Sequence, residues 1–172
     1  IKMRISKGYW VWAQFNCSCT LKLNAIKKEL KNLVKGPEFD IHLTLSGPLS
    51  GSDQSVKKNF LDLKDRLKGI EIQTNGYGFR QKYFESLFIG IKKSKKLLNL
   101  KKFVDAKFNL ETEEYFPHIS LFYGLEKKSS KLALINQLPQ LPKDISIDKI
   151  SLVRVDEKIE LWEVVQQVEV LS

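Results

Sequence analysis

Cysteine and histidine are nearly missing from this sequence, each occurring twice in 172 residues. The cysteines, Cys17 and Cys19, follow an N-terminal strand pattern closely enough to be read as part of it. Two residues apart on a strand they share a face, and bridging them would require strained geometry. There is no C-x-x-C pair and no Cys/His cluster, which argues against a zinc site and for reduced cysteines in a cytoplasmic protein. Long apolar runs are absent too: none approaches the roughly 20 residues that cross a bilayer. The N-terminus lacks the basic, apolar, small-residue order of a signal peptide, although a chain that starts at Ile1 leaves a removed segment open. Acidic residues are outnumbered, 20 against 29 basic ones, giving a formal net charge of +9 and a sequence pI near 9.4. That excess suits an anionic partner such as a nucleotide or RNA. The Lys-Lys pairs that recur along the helical segments would look the same on solvated helix faces.

What remains is the composition of an ordinary soluble protein, 42% hydrophobic and 28% charged, long enough for one domain with a real core. Tyr9 to Phe15 is aromatic and β-branched, as a buried strand should be. Over residues 21–35 the period changes, with Leu23, Ile26, Leu30 and Leu33 at helical spacing, and Gly36-Pro37 stops the helix. Ile41, Leu43 and Leu45 alternate as a strand that Gly47-Pro48 should end. Val56, Phe60, Leu63 and Leu67 form a second helical stripe closed by Gly69. An extended piece at Ile70 and Ile72 comes next, then a turn at Gly76 and Gly78.

The order then repeats. Tyr83 to Ile91 reads as a strand, and Leu97, Leu100, Val104 and Phe108 as a helix face. Tyr115 to Tyr123 is a strand, and 129–138 a helix with Ser129 or Ser130 as its N-cap. Residues 145–155 and 159–170 make a closing antiparallel pair. Strand, helix, strand, helix, strand occurs twice, with one strand added at the end. We therefore expect an α+β, bilobal, duplicated fold of two mainly antiparallel sheets with outer helices, facing each other across a central cleft. No linker separates the halves. The expected unit is one monomeric domain over 1–172, with lobe one about 1–80 and lobe two about 81–172.

The two histidines stand in matching patterns, His42-Leu43-Thr44 and His118-Ile119-Ser120, 76 positions apart (118 − 42), close to the offset between the halves. A lone strand histidine is usually structural, satisfied by a nearby carbonyl. Two at equivalent places in a repeat are not accounted for that way. Residues i and i+2 of a strand point to one side, so His42 and Thr44 share a face, and His118 and Ser120 do likewise. Two imidazoles that titrate near neutrality can exchange protons with a substrate, and hydroxyls can bond phosphate oxygens. No carboxylate stands at motif spacing to complete a metal site.

At these residues the chain resembles the 2H phosphoesterase superfamily, named for paired H-x-[ST] motifs on duplicated lobes. Within it, the likeness is to the eukaryotic-type 2′,3′-cyclic nucleotide phosphodiesterases. It rests on Val11-Trp12-Ala13, on Gly36-Pro37-Glu38-Phe39 leading to His42-Leu43-Thr44-Leu45, and on Phe84-Glu85-Ser86-Leu87-Phe88. The run 115–123 around His118 is the most specific, and Leu161-Trp162-Glu163-Val164-Val165 closes the series. The resemblance implies metal-free, cofactor-free hydrolysis of a cyclic phosphate on ribose, with His42 and His118 as the catalytic pair. Thr44 and Ser120 would hold the non-bridging oxygens. It gives water activation to His118 and protonation of the leaving oxygen to His42, an order that near-symmetry could invert. The expected pH dependence is a bell with limbs at roughly pH 5–8, where imidazoles titrate. Tyr123 is a further candidate contact, although simple alternation puts it on the face opposite His118. Trp12, Tyr83 and Phe84 are candidates for a base-stacking wall, and Arg80 and Lys82 for charge stabilisation. The expected partner is a nucleotide or RNA end and not a membrane. A 2′,5′-oligoadenylate phosphodiesterase or RNA-end processing enzyme of the same superfamily is the alternative activity. A non-catalytic RNA-binding module is the third reading, disfavoured because a pure binder has no use for two symmetric H-x-[ST] sites.

Overall fold

The computed structural model describes residues 7–170. Strand β1 (Gly8–Phe15) leads into helix α1 (Cys17–Leu33), then β2 (Leu43–Leu49), α2 (Asp53–Leu61) and β3 (Ile70–Phe79). The second half continues as β4 (Leu87–Ile91), α3 (Lys95–Lys107), β5 (His118–Phe122), α4 (Lys128–Ile135) and β6 (Asp144–Val155), with β7 (Glu163–Glu169) added. All strand pairings are antiparallel. The expected α+β class, duplicated order and extra strand are therefore present.

The two expected sheets are, however, joined into one. Its order is β1-β2-β5-β4-β3-β6-β7, and β1 pairs with β6 as well. Six strands thus close a hydrogen-bonded ring and β7 hangs on β6. The ring keeps the duplication: exchanging β1, β2, β3 for β4, β5, β6 maps it onto itself. Each half's third strand has crossed over, β3 lying between β4 and β6, and β6 between β3 and β1. Sequence periodicity finds strands but not their partners, so it carries no sign of this exchange.

One face of the sheet is the core. Val11, Ala13, Leu43, Leu45, Ile89, Ile119, Leu121, Ile150 and Leu152 are all nearly inaccessible. They pack with the helix residues Leu23, Ile26, Leu30, Leu97 and Val104. The other face carries Trp12 and Val153, which form a separate small cluster with Val155, Trp10 and Trp162. The two faces have different chemistry because alternate residues of one strand serve each.

Two of the sheet's β-bulges fall at equivalent places in the two motif strands and interrupt that alternation. Val11 opposes Ser46 while Trp12 opposes Thr44, which leaves Leu45 as an extra residue on β2. Leu87 opposes Phe122 while Phe88 opposes Ser120, which leaves Leu121 extra on β5. The bulged residues are again 76 positions apart (121 − 45). A bulge shifts the alternation of everything beyond it by one residue.

Several element boundaries differ from the sequence reading. Helix α1 begins at Cys17 because the Asn16 side chain caps it, accepting from the Cys19 backbone N–H at 2.8 Å. Cys17 and Cys19 are therefore free thiols in a first helical turn, not strand residues. Strand β2 runs through Gly47-Pro48 to Leu49. Strand β3 is continuous through Gly76, whose φ of +78° absorbs a register jump between Thr74 and Tyr77. Strand β4 begins only at Leu87, since Tyr83–Glu85 forms a 3₁₀ turn. Helix α4 starts at Lys128 without a side-chain cap, so Ser129 and Ser130 lie inside it. No helix among the described residues is long and apolar enough to cross a membrane.

Candidate active site

His42 sits immediately before β2 and His118 is the first residue of β5. The two strands meet at a single pair, Leu43 opposite Ile119. Continuing that register one step each way sets His42 across from Ser120 and Thr44 across from His118. Leu43 and Ile119 point into the core, so the four polar side chains share the face that the helices leave free. The two motifs form one cross-strand quartet about a local two-fold.

Both rings are fixed the same way. His42 Nδ1 lies 2.7 Å from the carbonyl oxygen of Asp40, and His118 Nδ1 lies 2.9 Å from that of Phe116. A carbonyl only accepts, so each Nδ1 carries the hydrogen and each Nε2 keeps its lone pair for other work. His42 is 5% exposed, and its ring stacks on Trp12 with centroids 3.6 Å apart and planes 7° from parallel. Its pKa is lowered to about 3, chiefly by burial, with the bond to Asp40 opposing and the nearby His118 and Lys27 acting with burial. His118 is half-buried. Desolvation lowers its pKa also, with Arg80 acting in the same direction and the Phe116 carbonyl and Glu85 opposing.

His118 has its own aromatic setting. Phe116 stacks on it at 4.9 Å, and Phe88 meets it edge-on at 5.4 Å. Phe88 is the second-half counterpart of Trp12, again offset by 76 (88 − 12). Its ring lies flush against Gly78, where a Cβ would come within 2.5 Å. The repeat offset alone points to Phe88, a signal that sequence reasoning passed over.

Tyr123 corrects the simple alternation. The bulge at Leu121 turns Phe122 into the core and returns Tyr123 to the histidine side. Its ring stacks on Phe39 at 3.9 Å and meets Phe84 edge-on at 5.1 Å. Burial raises its phenol pKa, with a hydrogen bond to Ser120 pulling the other way. Phe84 lies 6.3 Å from Trp162, and its backbone carbonyl accepts from Ser120 Oγ at 3.2 Å. Tyr83 also joins this cluster, 4.9 Å from Phe84. The 3₁₀ turn that shortens β4 is what brings Tyr83 and Phe84 here. Arg80 lies over Phe116, 3.7 Å from its centroid, and pairs with Glu85 at 2.8 Å. Lys82 points instead to Glu85, 3.6 Å away.

The structure therefore gathers His42, His118, Thr44, Ser120, Tyr123, Trp12 and Phe84 on one face. It adds Phe39 and Trp162, which the sequence offered only inside longer runs. Beside Trp12 opens a cavity of about 530 Å³ walled by Phe39 and Trp162, with Glu38, Asp40, Glu160 and Glu163 among its lining residues. A second cavity of about 500 Å³ lies on the α1 side of the same 37–40 loop, and neither cavity is lined by His42, His118, Thr44 or Ser120. Among the described residues no group of three or more His, Cys, Asp or Glu is placed to hold a metal ion.

The family model of cyclic phosphodiesterase-like proteins matches residues 3–170. The chain belongs to that family. Membership brings it into the 2H phosphoesterase superfamily. Solved structures share its fold. E. coli LigT complexed with 3′-AMP superposes with a TM-score of 0.65 at 11% identity, covering 96% of this chain and 99% of that one. LigT complexed with ATP gives 0.63 at 12%, with 96% and 98% covered. TT0787 of Thermus thermophilus gives 0.62 at 14%, with 98% of each chain covered. No curated protein sequence matches. A cyclic phosphodiesterase-like protein thus keeps this architecture with few residues in common.

Proposed function

We propose that this protein hydrolyses cyclic phosphodiesters on ribose without a metal ion, with His42 and His118 as its acid–base pair. The substrates are 2′,3′-cyclic nucleotides or ADP-ribose 1″,2″-cyclic phosphate, as in the eukaryotic-type branch of the superfamily. The observation that carries this reading is the cross-strand quartet, which sets two imidazole lone pairs and two hydroxyls on adjacent strands of one sheet face. A five-membered cyclic phosphate is strained, so positioning, one base, one acid and charge stabilisation suffice.

In this reading His118, the more exposed ring, draws a proton from a water as its oxygen attacks phosphorus. One P–O(ribose) bond breaks, and His42 gives a proton to the departing ribose oxygen. The parallel indole face of Trp12 favours a cationic imidazole, and the bound anion favours it further. Burial keeps His42 neutral until then, which makes its cation a strong donor. Thr44 and Ser120 hold non-bridging oxygens, and Arg80 lies close enough to His118 to offset charge on the phosphorane. The cavity beside Trp12 supports a nucleoside seat with aromatic walls. Its four carboxylates repel further phosphates, which ranks 2′,3′-cyclic mononucleotides above ADP-ribose 1″,2″-cyclic phosphate, and both above 2′,5′-linked oligomers or RNA ends. The solved complex of LigT with 3′-AMP, a ribose phosphate, is consistent with that choice.

Each acid or base contributes about 10²–10⁴-fold. His42→Ala and His118→Ala should therefore each lose at least about a hundredfold in turnover while circular dichroism stays native. Wild-type turnover in either folded variant rejects the mechanism. A panel of 2′,3′-cyclic mononucleotides, ADP-ribose 1″,2″-cyclic phosphate and 2′,5′-oligoadenylate, read by product, tests the substrate class.

A further inference from the structure

The quartet is symmetric, but its support is not. At the β2 bulge two successive backbone carbonyls accept hydrogen bonds from side chains of the second half. Tyr115 donates its hydroxyl to the Thr44 carbonyl at 2.8 Å, and Lys101 Nζ donates to the Leu45 carbonyl at 2.9 Å. The next residue, Ser46, is turned to the core side by the bulge and donates its hydroxyl to Asp105. Asp105 is 1% exposed on α3. It also accepts from Thr112 Oγ1 at 2.9 Å and pairs with Lys101 at 3.0 Å. Three consecutive residues of the first half, starting at Thr44 and two beyond His42, are thus gripped by the second half.

The repeat-related positions carry only part of this cluster. Matching the buried helix residues Leu23, Ile26 and Leu30 to Leu97, Leu100 and Val104 puts Lys27 at the place of Lys101 and Lys31 at that of Asp105. Lys27 lies over Phe39 and donates to the Phe39 backbone carbonyl, not to the β5 bulge. No buried carboxylate stands there, Phe122 takes the place of Ser46, and the β5 bulge packs with apolar side chains instead. The contact between β2 and β5 is one residue pair long, so the sheet itself holds this edge of β2 weakly. A buried carboxylate and lysine carry a desolvation cost that a core of aliphatic residues would avoid. What this cluster supplies is direction: hydrogen bonds with fixed geometry at the carbonyl of the residue that holds phosphate.

We infer that Asp105, Lys101 and Tyr115 are positioning residues for His42 and Thr44, fixing the β2 bulge so that the first motif meets the second in register. The inference rests on the acid–base reading of the pair. Displacements near 1 Å cost about a hundredfold in rate, so loosening this grip should lower kcat and leave ground-state binding nearly unchanged.

The test uses four variants of the whole chain with 2′,3′-cyclic AMP as probe. Tyr115→Phe deletes one hydrogen bond and no volume in the core. Asp105→Asn removes the charge, and Lys101→Met combined with Asp105→Asn removes the unpaired lysine that Asp105→Asn leaves behind. Leu134→Ala on α4, which packs against β3, is a control that loses stability elsewhere. Besides kcat and KM, the His42 ring signals in ¹H–¹³C spectra report its seat on Trp12, because stacking at 3.6 Å shields them. We expect Tyr115→Phe to lose about tenfold in kcat with KM within twofold, and its His42 signals to move. The double variant should recover melting temperature relative to Asp105→Asn but not kcat. Leu134→Ala should melt lower with kcat intact. If Asp105→Asn does not fold, Tyr115→Phe decides alone. Wild-type kcat with unmoved His42 signals in Tyr115→Phe, or an equal kcat loss in Leu134→Ala, overturns the inference. Failure of the acid–base reading shows separately, as wild-type turnover in His42→Ala.

Discussion

Replacing His42 with asparagine isolates the cost of burying an imidazole under the phosphate site. Asparagine can still donate to the Asp40 carbonyl that now takes the His42 Nδ1 hydrogen. It has no titration. In the unfolded chain His42 protonates near pH 6.5, whereas in the native protein burial defers protonation to about 3. Between those values the unfolded state holds one more proton than the native state. Stability therefore falls as pH drops through this window, by up to about 1.4 kcal/mol per pH unit. Above pH 6.5 both states are neutral and the contribution is flat; below 3 both are charged and it is flat again. At pH 4.5, two units into the window, the wild type should have lost about 2.7 kcal/mol that His42→Asn does not lose. His118 acts in the same direction but is present in both proteins, so it cancels in the comparison. Loss of stacking on Trp12 shifts the variant by an amount that does not depend on pH. The assay is urea unfolding at half-unit steps from pH 7.5 to 4.5, comparing the two stability curves. Parallel curves would refute the reasoning, because they would mean that His42 is not held neutral by burial.

The same geometry sets the pH dependence of turnover. The plot of kcat/KM against pH should be a bell displaced below the pH 5–8 range of ordinary imidazoles, since both rings are lowered. Above pH 7 it should fall about tenfold per unit, and a plateau reaching pH 8 would contradict it. The kcat profile should lie higher in pH, because a bound anion favours the imidazolium. Thr44→Val and Ser120→Ala should lower kcat while leaving the bell in place, which loss of a limb in either variant would disprove. EDTA should leave turnover intact, given that no metal-holding cluster stands among the described residues; loss restored by a divalent ion would reveal a site. Trp12→Leu should remove the stack on His42 and raise KM, checked by steady-state kinetics.

The histidine pair was legible because duplication repeats spacing, and spacing is what a sequence displays. Phe88 was legible on the same ground and was missed only because its own segment suggested Phe84 first. Tyr123 was not, since a bulge at Leu121 leaves no mark in the pattern of apolar residues: Leu121 and Phe122 are simply both buried. The same holds for Ser46, which simple alternation puts beside Thr44 and the bulge sends to Asp105. Strand and helix types were read correctly where periodicity ran long, as in β1, α3 and β6. They failed at ends set by single side chains, such as the Asn16 cap of α1. The closing pair of β6 and β7, neighbours in sequence, was legible, but distant pairings were beyond reach, because partners such as β1 and β6 are separated by nearly the whole chain.

The exchange of third strands has a consequence for how the protein could be taken apart. A chain cut between β3 and β4 yields two pieces, each missing the strand that lies along its first one. Neither β1 without β6 nor β4 without β3 keeps a full set of backbone partners, so each piece alone presents open hydrogen-bonding edges. Mixed together, the two pieces carry all the edges needed to close the ring. Two copies of a single half carry the same set, since the topology maps onto itself. The unit that closes is therefore a pair of halves, whether or not a peptide bond joins them.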